Sequence, residues 1–329
     1  MSLTLAPTAA PSPARRSCFS SVPAPLTPDR RICFSAPPAD TTPLRDTILD
    51  THVPSNLPPG LPPGIPPVPQ PPTNGGGQPP VDPPDTRPWT PLQHAAKDLG
   101  TTPDGRLHVD GVRWGIEKGA DGKLTDTGVF RDAYINPDKV KDVYLVIKPF
   151  SDQPNPFPGH ALLDFEFEPD APVTDSQGNK DSGLAVSVEV HLREGEHYDP
   201  QESQNHPKPI MYQLGTWSDG IEKATAHDHE LIQRYHLALS HDQEVSLLKE
   251  RVAKSTQDHT LDLYNLIGNS CISTLIDGVN KVIPDKQQIA HLLPDGHPDP
   301  TASVPIYVPT LFLTHGLLAD PAPQTTFAS

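Results

Sequence analysis

Proline sets the outer limit on what this chain can fold into. The sequence holds 44 prolines in 329 residues, well above an average of roughly 5%, and most of the excess lies before residue 91. Proline lacks an N–H and has a fixed φ, so a segment this rich in it builds neither helix interiors nor sheet interiors. Residues 1–90 read as a disordered tail dominated by Pro, Ser, Thr and Ala, whose apolar residues never acquire a period. The run Leu57-Pro58-Pro59-Gly60-Leu61-Pro62-Pro63-Gly64-Ile65-Pro66-Pro67 predicts an extended, semi-rigid spacer. Asn74-Gly75-Gly76-Gly77 adds a flexible joint. Folding is therefore left to a domain over residues 91–318, followed by a frayed C-terminus over 319–329.

Ahead of the spacer lies a short repeat, Arg15-Arg16-Ser17-Cys18-Phe19-Ser20 and Arg30-Arg31-Ile32-Cys33-Phe34-Ser35. It reads as a duplicated linear motif or as coincidence in biased sequence. The Pro-rich tail itself reads as a plain spacer or as a ligand for a protein partner with an aromatic-lined groove.

A formal net charge of −16 argues against general nucleic-acid binding and against simple adhesion to anionic lipid, both of which need clustered Lys and Arg. No run of 18 or more apolar residues occurs, so no integral membrane segment is expected. The start Met-Ser-Leu-Thr-Leu-Ala-Pro has neither a basic n-region nor a continuous apolar core. The expected location is cytoplasmic, or exported without a conventional signal peptide. Three cysteines do not make a disulfide scaffold. Cys18 and Cys33 sit in the tail, which leaves Cys271 alone in the domain.

Along the domain, Asp104-Gly105 and Asp121-Gly122 mark turns among short strands or loops. Val143-Tyr144-Leu145-Val146-Ile147 predicts a buried strand. From His160 to Glu168, Ala161, Leu163, Phe165 and Phe167 alternate with Leu162, Asp164, Glu166 and Glu168, as in a half-buried strand. Gly183 to His191 predicts another, with Ala185, Ser187, Glu189 and His191 on its polar face. Glu230, Leu231, Ile232 and Tyr235 predict a short helical segment. Ser240-His241-Asp242-Gln243 is a capping-box start for a helix carrying Val245, Leu247, Leu248 and Val252. The apolar stretch from Ile306 to Leu318 is expected to wrap the domain.

The chemistry centres on Tyr264-Asn265-Leu266-Ile267-Gly268-Asn269-Ser270-Cys271. Ile272, Leu275, Ile276, Val279 and Val282 follow at helical spacing. Asn and Ser are N-cap residues, so Cys271 falls in the first turn. There the unpaired N–H groups and the helix dipole are expected to lower the thiol pKa and make a nucleophile. His160, just after Pro158-Gly159, is the candidate general base. Glu189 and His191 are the candidate orienting residues on the next strand. Asn269, Ser270 and Tyr264 are candidates for the oxyanion and substrate contacts. His227-Asp228-His229-Glu230, with His236 and His241, offers the imidazoles and carboxylates of a metal site; the two-residue spacing of His227 and His229 puts them off one helical face, and the favoured reading is a solvated helix face and loop without metal.

Four of these features occur in order: the strand Val143–Phe150, Phe157-Pro158-Gly159-His160-Ala161-Leu162-Leu163, Arg234-Tyr235-His236-Leu237-Ala238-Leu239-Ser240, and Tyr264 to Cys271. In this order they resemble the bacterial Lnb-like domain, the N-terminal part of lipoprotein N-acyltransferase-like proteins, over roughly residues 140–315. That group is similar to circularly permuted papain-like, NlpC-type thiol enzymes, in which the His precedes the Cys. The family pattern sets Asn directly before Cys, whereas Ser270 intervenes here. The resemblance implies an α+β, permuted papain-like domain: a central antiparallel sheet carrying His160 and a helix starting at Cys271. The implied activity is acyl transfer, or amide or ester hydrolysis, through an acyl-enzyme on Cys271. Its substrate would be a peptide, lipid-acyl or other acyl or amide compound, and no metal or organic cofactor is required. A non-catalytic interaction module is the alternative, and a delivered bacterial effector or toxin could use the same domain.

Overall fold

The computed structural model describes residues 86–149, 159–198, 208–265 and 268–327. Residues 1–85 of the Pro-rich tail, with its repeat and spacer, lie outside the described residues, as do Phe157, Pro158, Leu266 and Ile267; its last residues join the domain, where Thr90 donates its N–H to the Leu192 carbonyl at 3.0 Å.

Eleven strands among the described residues form one sheet. They are β1 (Lys97–Thr101), β2 (Leu107–Lys118), β3 (Leu124–Ile135), β4 (Val140–Pro149), β5 (Gly159–Phe167), β6 (Val173–Thr174), β7 (Lys180–Asp181), β8 (Gly183–Val190), β9 (Ile210–Thr216), β10 (Ile232–His236) and β11 (Thr325–Phe327). Their order is β11-β10-β4-β5-β8-β9-β2-β3-β6-β7, with β1 on β2. Four α-helices among the described residues accompany them: α1 (Trp217–Glu222), α2 (His241–Ser255), α3 (Cys271–Asn280) and α4 (Val308–Thr314). The architecture is α+β.

The sheet is mixed rather than wholly antiparallel, because β2 joins β9 in parallel at Arg113 and Gly215. The strands expected around Val143–Ile147 and Gly183–His191 are β4 and β8. Residues 232–236, expected as helix, form strand β10: Ile232, Gln233, Arg234 and Tyr235 alternate across the sheet and pair with β4 and β11. Two long strands, β2 and β3, occupy the region expected to hold short strands or loops.

Strand β5 is covered on both faces, not half-exposed. Leu163 and Phe165 enter the main core with Leu145, Leu184 and Phe312. On the other face Leu162 packs with Val146, Trp217 and Ile232. Asp164 is fully buried there because Arg234 pairs with it. The Arg234 guanidinium is itself held over the rings of Tyr144 and Trp217, at 3.7 and 4.6 Å. A charge–aromatic layer thus replaces the solvent that the alternating pattern implied.

Helices α2 and α3 lie on one side of the sheet, α2 against β4 and β9 and α3 against β5 and β8. Helix α1 contacts β2, β8 and β9. Both α2 and α3 start at capping boxes, Ser240 with Gln243 and Ser270 with Ser273, which satisfy otherwise orphaned N–H groups. Ile272, Leu275, Ile276 and Val279 are the buried stripe of α3.

Candidate active site

The starts of β5 and α3 open on a cleft of about 990 Å³. Cys271 and His160 both line it, with Glu189, Tyr264, Lys148 and Lys223.

Cys271 packs with Ala161 and Val188 on the face of the sheet that α3 covers. Its sulfur meets the main-chain N–H groups of Ala161, Ile272 and Cys271 itself. These donors favour a thiolate, but burial outweighs them, and the nearby Glu189 charge adds to it; the thiol is pushed up to about 11. The lowered pKa expected from helix position is therefore reversed. A helix N-terminus contributes only in proportion to its partial charge, whereas this thiol is 6% exposed and loses most of its hydration.

His160 belongs to the opposite face. It pairs in register with Lys148 of β4, and its Nε2 lies 2.6 Å from Ser187 Oγ. Ser187 stands across from Leu162 in the β5–β8 ladder. The Ser187 hydroxyl donates to Glu189 Oε1 at 3.2 Å, and Gln93 Nε2 donates to Glu189 Oε2 at 3.1 Å. Burial works to raise the Glu189 carboxyl, but the Lys223 and Arg113 charges and the Gln93 hydrogen bond outweigh it and hold it at about 2. Glu189 is thus a carboxylate and only accepts. Ser187 has one proton, which goes to Glu189, so its oxygen accepts from His160. That direction assigns the His160 proton to Nε2 and leaves Nδ1 the basic nitrogen. Burial, aided by the Lys148 and Lys223 charges, pushes His160 down to about 4, so the ring rests neutral.

The other candidates divide. Tyr264 lies beside the thiol, and burial together with Cys271 and Tyr198 raises its hydroxyl far above the ordinary range, so it stays a donor. Tyr198 donates to it at 3.1 Å. Ser270 is 2% exposed and is consumed as the N-cap of α3, where it accepts from the Ser273 N–H at 3.2 Å and donates its own N–H to Ser273 Oγ at 2.7 Å. Asn269 Nδ2 donates to the Leu263 carbonyl at 2.9 Å, closing the preceding loop. Neither Asn269 nor Ser270 lines the cleft. His191 lies just past the end of β8 and stacks on Trp89 at 3.7 Å. It too is absent from the cleft lining.

The run His227-Asp228-His229-Glu230 is an ion-pair cluster on the cleft wall. Lys148 Nζ lies 3.0 Å from Asp228 and 2.8 Å from Glu230. Lys223 and His227 each reach Asp228 at 2.7 Å. His229 takes a left-handed φ of 56°, which breaks any helical face through these residues. The lysines that neutralise the cluster lie on β4 and before the run, at positions that no local spacing connects. Ser187 was also missed. Its signal was present, since it shares a strand face with Glu189 two residues away.

A family profile described as the Lnb N-terminal periplasmic domain matches residues 128–306, more than half of the 329 residues. The chain belongs to this family. The matched segment holds His160, Ser187, Glu189 and Cys271 but not Gln93 or Arg113. No curated protein and no solved structure matches the chain. Among the described residues no helix is long and apolar enough to cross a membrane.

Proposed function

We propose that this protein is a cysteine-dependent acyl-transfer or amide- or ester-hydrolysing enzyme of permuted papain-like type, with Cys271 as nucleophile and His160 as general base. One observation carries the reading. A helix-start thiol seated on main-chain N–H groups shares a cleft with an imidazole ordered by Ser187 and Glu189. The sequence order, His160 before Cys271, fits the permutation.

Both groups rest neutral, so the chemistry is general-base catalysis rather than a preformed ion pair. His160 Nδ1 accepts the thiol proton, directly or through one water, as Sγ attacks the carbonyl carbon. The C=O π pair moves to oxygen, and the N–H groups at the start of α3 and at Ala161, which the resting sulfur meets, pass to the oxyanion as its donors. The imidazolium so formed is balanced through Ser187 by the Glu189 carboxylate. The tetrahedral centre collapses and expels the amine, alcohol or thiol leaving group, which takes the proton back from His160. Water or an amine then resolves the acyl-enzyme by the same steps in reverse. The cleft is within the usual range for ligand sites, about 300–1,000 Å³. Val188, Val190 and Tyr264 offer an apolar wall for the acyl part of a peptide or lipid-acyl substrate.

A non-catalytic interaction module is the second reading, favoured by the raised thiol pKa and by the approach of thiol and imidazole from opposite faces of β5. Intact-mass analysis after exposure to an activated acyl thioester separates the two. The enzyme reading expects one acyl group on Cys271, none in Cys271→Ala, and acylation slowed about 100-fold or more in His160→Ala, with a smaller loss in Ser187→Ala. No adduct at Cys271, or an unchanged rate in His160→Ala, would make the interaction module the better account.

A further inference from the structure

His236 and His241, left over from the histidine-rich region, lie outside the cleft. His236 ends β10, and its Nε2 is 3.1 Å from Asp142 Oδ1 on β4. Glu244, in the first turn of α2, completes a group with them in which one ligand atom from each lies within 4.8 Å of the others. His241, the first residue of α2, places Nδ1 3.8 Å from Glu244 Oε2.

The charges here are unevenly matched. Glu244 is 4% exposed, and among the described residues its one ion pair is with His241. Asp142 has Lys141 3.1 Å from Oδ2, which leaves Oδ1 turned to His236. Two ionised carboxylates side by side, one of them buried with neither Lys nor Arg of its own, are costly unless that carboxyl keeps its proton or a cation joins them. The donors are imidazole nitrogen and carboxylate oxygen. That set suits a divalent transition ion, whereas Mg²⁺ and Ca²⁺ take oxygen alone.

We propose that Asp142, His236 and Glu244 bind one Zn²⁺ ion, with His241 or water as the fourth ligand. Zinc–ligand bonds of about 2.0–2.2 Å put tetrahedral donors about 3.3–3.6 Å apart. The side chains therefore need to close by about 1.5 Å at most. The ion would tie α2 to β4 and β10 across the sheet, a structural clip independent of the thiol site.

The test uses the full chain with Cys18→Ser, Cys33→Ser and Cys271→Ala, so that no thiol competes. Calorimetric titration with ZnCl₂ should show one equivalent bound and a raised melting temperature, while MgCl₂ does neither. His236→Asn and Glu244→Gln should each weaken Zn²⁺ binding tenfold or more and remove the melting shift, with the far-ultraviolet spectrum unchanged. No binding by the parent chain overturns the proposal, as does binding that both substitutions leave intact.

Discussion

At the scale of single residues, the main lesson is the competition between a helix terminus and burial at Cys271. Main-chain N–H groups pull the thiol pKa down, and desolvation pushes it further up, to about 11. The consequence is measurable without a substrate. Below its pKa the thiolate fraction rises tenfold per pH unit, so iodoacetamide incorporation at Cys271 should rise about tenfold per unit from roughly pH 7 to 10. His160→Ala should leave that slope in place, because an imidazole held at about 4 carries no charge in that window. Peptide-resolved mass spectrometry is needed, since Cys18 and Cys33 also react. A plateau beginning near neutral pH, lost in His160→Ala, would instead mean a thiolate–imidazolium pair. The sequence could place both residues at element starts, because caps and turns are local. It could not weigh their solvation, which depends on α3 and Tyr264 closing over the thiol.

At the scale of elements, local patterning served well where it was self-contained. The capping box at Ser240, the N-cap before Cys271 and the apolar stripe of α3 are readable from a few adjacent residues; the second box, Ser270 with Ser273, lacks the Glu or Gln that signals one. Segment 232–236 was misread because its strand identity comes from partners: β4 on one side and β11, almost 90 residues later, on the other. The packing of α2 on α3 was equally hidden. Arg251 is 3% exposed and donates Nη1 to the Thr274 carbonyl at 2.8 Å. Its guanidinium occupies the space where any Cβ on Gly278 would stand, within 2.4–2.6 Å. Gly278→Ala should therefore displace Arg251 and destabilise the fold by about 1–3 kcal/mol, although alanine is the better helix former. Urea unfolding of the two proteins reads this directly. A gain in stability would show that Arg251 can move aside at no cost.

At the scale of the whole molecule, the family segment and the folding unit do not coincide. The match spans residues 128–306, yet β2 (Leu107–Lys118) sits inside the sheet between β9 and β3. From β2, Arg113 makes a buried pair with Asp219 of α1, its Nε 2.9 Å from Oδ2, and donates Nη1 to the Leu92 carbonyl at 2.9 Å. Gln93, also upstream, holds Glu189. Downstream, Phe312 of α4 is fully buried in the main core. A fragment limited to 128–306 would leave Asp219 as a buried unpaired carboxylate, a loss of about 3–5 kcal/mol alone. It would also open the sheet at β9 and remove an aromatic from the core. That sum rivals the whole stability of an ordinary domain, about 5–15 kcal/mol. The fragment 128–306 should thus show no cooperative urea transition by circular dichroism, whereas 86–329 should unfold cooperatively. Cooperative unfolding of the shorter piece would mean that β2 and α4 dress a core that is complete without them, and that Gln93 and Arg113 are later additions to the cleft rather than conditions for it.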